Sequence, residues 1–146
     1  MWANPAVTQF IGGRPFTAEE TWARFLRYIG HWSVLGFGYW MVEERASRSF
    51  AGEVGFADFR REITPSIDGI PELGWALAPC FHGRGYATEA VRAAQGWGEA
   101  NLQSRRSVCL IHPENLPSLR VANKCGFREW TRATYKNQPT IILTRE

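Results

Sequence analysis

The stretch CFHGRGYATEAV, residues 80–91, decides how the chain is read. Gly83 and Gly85 flank Arg84, and apolar residues then recur on one helical face at Ala87, Ala90, Val91, Ala94 and Trp97. Glycine permits conformations that other residues avoid, so a pair of glycines just ahead of a helix marks a turn built for geometry or for close approach. The first N–H groups of a helix lack intrahelical partners, and the helix dipole makes that end positive. With no acidic residue in the run before Glu89, the turn has the makings of a site for phosphate oxygens, to which Arg84 adds a charge. A tight strand-to-helix turn needing glycine for shape alone fits the same letters.

The flanking sequence gives this turn its setting. ELGWALA (72–78) reads as a strand stopped by Pro79, and the helix that follows runs to about Leu102. RSVCLIH (106–112) is a second strand, apolar enough to be buried on both faces. Strand, helix and strand form a βαβ unit, which predicts a parallel pair with a right-handed crossover. Upstream, TAEE (17–20) is a capping box opening a helix whose Trp22, Phe25, Leu26 and Ile29 share a face. GFGYWMVEE (36–44) and SFAGEVGFADF (49–59) read as a hairpin, and residues 60–71 as a loop. Downstream, a short helix from about Leu116 to Lys124 ends at Gly126, a left-handed cap. Strands near 127–135 and 139–145 close the chain as a hairpin around KNQP. The predicted class is α/β (α+β by a looser naming): a mixed, mostly antiparallel sheet with helices on both faces, in one domain over residues 1–146.

Composition narrows the function. Seven Trp and nine Phe promise a dense core, and the net charge of +3 favours an anionic ligand only weakly. No basic cluster interleaved with aromatics points to nucleic acid, and no apolar run approaches a membrane span. Cys80, Cys109 and Cys125 are scattered and odd in number, which suits a reducing cytoplasm better than a disulfide framework. His31, His82 and His112 have no ligand spacing with them, so no metal is expected.

Two phosphate-binding loops are excluded by the letters. A Walker-type loop needs Gly-Lys-Ser/Thr, which is absent, and a dinucleotide fingerprint counted from Gly83 finds Thr88 where its third Gly or Ala belongs. The run instead resembles motif A of the GNAT superfamily of N-acetyltransferases, standing here as His82-Gly83-Arg84-Gly85-Tyr86-Ala87 followed by Thr88. Its wording, GRGYATEA, looks most like the branch of ribosomal-protein N-terminal acetyltransferases. The block PENLPSLRVANKCGF (113–127) resembles a second segment of that branch, and GEVGF and ELGWALAP resemble the strands before motif A. The resemblance covers about residues 3–146.

What the resemblance implies is acetyl transfer from acetyl-CoA to an amine, without a metal. An amine attacks only when neutral; at pH 7 deprotonation costs roughly 4.6 kcal/mol for a lysine-like amine and roughly 1.4 for an α-amine. Carried over residue by residue, His82, Gly83, Arg84, Gly85, Tyr86, Ala87 and Thr88 would form the pyrophosphate loop. Leu77 and Ala78 would pair with the pantetheine amides as a substitute strand. Asn115 resembles the family's cofactor-contacting Asn, and also fits a plain helix N-cap. Ser118, three residues later, would donate to the sulfur; an ordinary first-turn serine is the bland alternative. Glu72 stands where relatives place a carboxylate base, with Glu53 and then His112 in reserve, and a solvated strand-end charge fits Glu72 equally. The acceptor, whether small molecule or protein N-terminus, stays open, and Trp40, Phe56, Phe59 and Trp75 line its cleft or fill the core. A non-catalytic acyl-CoA-binding or interaction module on the same scaffold is the competing function.

Three departures stand out. His82 replaces the usual Gln or Arg, and Ala122 occupies the position, seven after Asn115, where many relatives carry Tyr. Relatives place a strand and a helix before the segment matching NPAVTQFIGG, which here begins almost at Met1 and reads like a helix tail. A missing first strand would leave the edge at 36–44 open, so the expectation is either an upstream segment or a homodimer.

Overall fold

In the computed structural model, which describes all residues from Met1 to Glu146, the elements follow one another as the sequence orders them. They are α1 (Pro5–Thr8), α2 (Ala18–Leu35), β1 (Tyr39–Glu43), β2 (Phe50–Ala57), β3 (Glu72–Leu77), α3 (Tyr86–Asn101), β4 (Ser107–Ile111), α4 (Leu116–Lys124), β5 (Arg128–Tyr135) and β6 (Gln138–Arg145). The six strands form one sheet in the order β1-β2-β3-β4-β6-β5. Every pairing is antiparallel except β3 with β4, the pair joined by the α3 crossover.

Local chemistry accounts for the boundaries. Thr17 accepts from the Glu20 N–H while the Glu20 carboxylate accepts from the Thr17 N–H, closing the capping box at the start of α2. Lys136 and Asn137 turn the β5–β6 hairpin with φ of 50° and 61°, the conformation a two-residue hairpin loop demands. α1 is a single turn starting from its own cap, with the Asn4 side chain accepting from the Ala6 N–H, rather than the tail of a longer helix.

The main core lies between the sheet and α3–α4. Val54, Phe56, Leu73, Cys109, Ile111, Ile141 and Leu143 from the strands meet Val91 and Ala94 of α3 and Ala122 of α4. Trp40 and Trp75 pack against this core and Phe56 lies inside it, so three of the four candidate cleft aromatics are structural. On the other face, Ile63 and Ile67 of the 58–71 segment cover Val108 and Ile142, and Trp2 and Val7 cover Ala76.

The α2 helix forms, and the face shared by Trp22, Phe25, Leu26 and Ile29 is turned to solvent, each residue about half exposed or more. The helix faces the sheet instead with Arg24, Tyr28, His31 and Trp32: Tyr28 stacks on Tyr39 at 4.6 Å and Trp32 Nε1 donates to the Tyr39 carbonyl. Amphipathic period sets how wide the apolar stripe is; polar partners on the sheet decide which way the helix is turned. Leu73→Ala should therefore cost about 2–5 kcal/mol in chemical unfolding, whereas Leu26→Ala should stay within about 0.5 kcal/mol.

Candidate active site

β3 ends at Leu77, a 3-10 turn (Pro79–Phe81) follows, and residues 82–85 lead into α3. Gly83 and Gly85 take φ of 72° and 87°, a conformation glycine adopts without strain, and a Cβ at either would point into open space. The six consecutive amides from Gly83 to Thr88 make no hydrogen bond within the chain. Alternating handedness over such a run turns successive N–H groups toward a common point, an anion-binding concavity at a helix N-terminus. Arg84 is less free than the sequence implies: its guanidinium donates to Glu44, reaching over from the β1–β2 hairpin, and the Tyr86 hydroxyl donates to the same carboxylate.

Beside this loop the sheet comes apart. β3 and β4 share one bridge, Glu72 with Val108, and then diverge. β3 stays fully paired with β2 on its other side, from Glu72↔Ala57 to Leu77↔Gly52. Because strand groups alternate, the backbones of Trp75 and Leu77 face the gap while those of Gly74 and Ala76 face β2. This corrects the role expected of Ala78. Its N–H donates to the Ala51 carbonyl and its own carbonyl accepts from Phe81, so neither is available to a substitute strand. The Leu77 carbonyl is also engaged, with His82 Nε2 at 2.9 Å, giving the His82 side chain a local structural role.

α4 begins across the gap. Asn115 is its N-cap, the side-chain oxygen accepting from the Ser118 N–H at 3.2 Å, so the plain capping role is realised. The Ser118 hydroxyl has no partner in the chain and is half-buried. His112, the weaker base candidate, instead stacks on Phe10 and accepts from the Glu114 N–H.

The face of the sheet opposite α3 carries the two candidate carboxylates, and both are engaged. Glu72 is buried, and its two oxygens accept from Arg61 at 2.6 and 2.7 Å. The Arg61 guanidinium is itself stacked over Phe59 and Tyr135. Glu53 accepts from Trp2, from the Tyr28 hydroxyl and, at 3.5 Å, from Arg24, whose guanidinium lies 3.8 Å from the Trp2 ring centre. Both Glu72 oxygens are thus taken up by one guanidinium. The geometry therefore does not support Glu72 as the base.

A glycine-lined anion cradle beside a sheet split after one bridge narrows the possibilities, and comparison with known proteins decides between them. Residues 1–128 match the family described as "Acetyltransferase (GNAT) domain". This chain belongs to the GNAT acetyltransferases. It is 26% identical over 129 residues to an uncharacterized N-acetyltransferase, p20, of Bacillus licheniformis, spanning 88% of this chain and 70% of that one. It is 30% identical over 111 residues to the uncharacterized protein YkkB of Bacillus subtilis, spanning 76% of this chain and 62% of YkkB, less than two thirds of its length. Among solved structures, a putative GNAT-family acetyltransferase from Bordetella pertussis superposes with a TM-score of 0.86 at 32% identity, over 97% of this chain and 85% of the other.

In this GNAT domain the glycine turn ahead of α3 was legible in the letters, whereas the partners Glu44 and Arg61 were not. They meet Arg84 and Glu72 from 40 and 11 residues away, and no local spacing signals either. The Arg61–Glu72 pair yields a direct test. Glu72→Gln leaves a largely buried guanidinium without its counter-charge and should cost on the order of 2–4 kcal/mol, read by chemical unfolding. Replacing both residues with Met should recover most of that loss. A Glu72→Gln variant of wild-type stability would return Glu72 to the list of free carboxylates.

Proposed function

We propose that this GNAT domain moves an acetyl group from acetyl-CoA to a primary amine by direct attack. One observation carries the reading: six consecutive amides, Gly83 to Thr88, make no hydrogen bond within the chain, in the loop that follows the strand parting from β4. Bound acetyl-CoA supplies an activated acetyl thioester. The chain's own groups bind and orient it. Gly83, Arg84, Gly85, Tyr86, Ala87 and Thr88 offer N–H groups to the pyrophosphate, with His82 bracing the loop from Leu77. Trp75 and Leu77 present backbone groups to the pantetheine amides, Asn115 holds the first turn of α4, and the free Ser118 hydroxyl donates to the departing sulfur. With Glu72 and Glu53 both bound to arginine, the amine's proton passes to water.

The acceptor is a primary amine on a small molecule or a protein N-terminus. GRGYATEA and the 113–127 block support the ribosomal-protein N-terminal branch. Structures sharing the fold include a ribosomal-protein-S5-alanine acetyltransferase and, in complex with CoA, a spermidine N-acetyltransferase, at 19% and 16% identity. Free thiols at Cys80, Cys109 and Cys125 suit a reducing cytoplasm. No helix is long and apolar enough to cross a membrane.

The decisive assay is CoA release from acetyl-CoA with a panel of amines, alongside calorimetric binding. Binding without turnover on any amine would favour the non-catalytic module. Acetyl-CoA should raise Tm, since it binds only the folded state, and Gly85→Val should remove the shift by filling the cradle. A folded Gly85→Val variant still shifted like wild type would defeat the cradle assignment. Ser118→Ala should slow single-turnover transfer about 10²-fold while acetyl-CoA affinity stays within a few-fold. Below the acceptor's own pKa, kcat/KM should rise tenfold per pH unit, because only the neutral amine attacks. A profile that ignores the acceptor's pKa would require a base in the protein.

A further inference from the structure

On the face opposite α3, one side chain is placed as no other. Tyr39 stacks flat on Tyr28 of α2, with ring centres 4.6 Å apart and planes within 10°. Its hydroxyl lies directly over Gly74 of β3, where any Cβ would collide with it. Gly74 is two residues past the only β3–β4 bridge, so the phenol oxygen sits at the start of the split. Every neighbour of comparable polarity there is committed: Glu72 to Arg61, and Glu53 to Trp2, Tyr28 and Arg24. The Tyr39 hydroxyl makes no hydrogen bond in the chain, yet no buried side-chain polar atom is left without a partner. The oxygen is therefore not fully enclosed, and the chain itself offers it no partner.

We propose that the Tyr39 hydroxyl is the acceptor-contacting group of the site. The acceptor amine reaches the split from the α2 face, and one of its N–H groups donates to Tyr39 Oη. This rests on the acetyltransferase reading above. Burial first, and then the charge of Glu72, hold the phenol well above its ordinary pKa, so it meets the amine as a neutral partner. In the transfer, the amine lone pair forms the N–C bond, the C–S bond breaks with its electrons going to sulfur, and the surplus amine proton leaves to water. Tyr39 neither gains nor loses a proton; it fixes the direction of the lone pair. The arginines on either side cancel the two carboxylates, so the site offers a neutral amine a hydrogen bond without offering an ammonium a counter-charge. Gly74 has a defined part in this, since only a residue without Cβ leaves room for the phenol over the strand.

The test uses Tyr39→Phe and Gly74→Ala in the full chain, with alanine amide as acceptor. Tyr39→Phe keeps the stacked ring and removes one oxygen. It should raise the acceptor KM about five- to tenfold, with the acetyl-CoA Kd by calorimetry within twofold of wild type. Gly74→Ala should reproduce the effect by displacing the phenol, and the double variant should be no worse than Gly74→Ala alone. A second readout needs no turnover. With 3-fluorotyrosine at Tyr39, acetyl-CoA and CoA should move the fluorine resonance to different positions, because the acetyl group ends beside the ring. Identical positions for the two ligands would place Tyr39 away from the reaction centre. An unchanged acceptor KM in Tyr39→Phe would overturn the contact, and a loss confined to kcat would move the hydroxyl onto the acyl oxygen. A wild-type chain that binds acetyl-CoA but acetylates no amine overturns the acetyltransferase reading and takes this contact with it, whereas a turning-over wild type with an indifferent Tyr39→Phe removes the contact alone.

Discussion

The separation of β3 from β4 after a single bridge is the constraint around which this molecule is arranged. A sheet that opens in its middle exposes N–H and C=O groups in a region otherwise packed, and such groups are costly when left unpaired. The chain limits the exposure by keeping β3 fully paired to β2 and β4 fully paired to β6, so that only inner edges face the gap. The α3 crossover joins the two strands across the opening, and its N-terminus, approached through Gly83 and Gly85, adds six more free donors at one end. The unpaired donors here are backbone groups. Side-chain identity matters chiefly in what it does not obstruct, which is why the glycines matter more than Arg84, whose charge is already answered by Glu44.

The two faces of the split are chemically unlike. Toward α3 and α4 the surroundings are aliphatic and aromatic, with Leu73, Phe56, Val91 and Ala94 closing the space. Toward α2 they are polar and charged, but every charge has its opposite: Arg61 answers Glu72 and Arg24 answers Glu53. Stacking of both guanidiniums on aromatic rings holds them in register and reduces the cost of ordering long side chains. The carboxylates on this face are therefore not free charges.

Much of the architecture could be read from the letters, because it rests on short-range rules. The capping box at Thr17, the glycine cap at 126, the positions of all six strands and the parallel β3–β4 pair follow from periodicity, turn chemistry and the handedness of βαβ units. The anion cradle belongs with these: a glycine pair and the helix after it are contiguous in sequence, and the donors are backbone groups that every residue supplies. Asn115 as a cap was legible for the same reason.

What the sequence left open depends on where side chains from distant segments come to lie. The apolar stripe of α2 was visible, but whether it would face the sheet or solvent depended on Tyr28, Arg24 and Trp32 finding partners on β1 and β2. Glu72 read as a free carboxylate because Arg61 sits in a loop with no pattern, and only the folded chain brings the two oxygens against one guanidinium. Ala78 read as part of an open edge, and the β2 pairing and the following turn consumed both its groups. By itself the sequence determined the elements, their order and the backbone site at the start of α3, since these are fixed by interactions a few residues long. Tertiary structure alone decided which charges are spent and which hydroxyls stay free, because electrostatic pairing depends on distance in space and carries no signature along the chain.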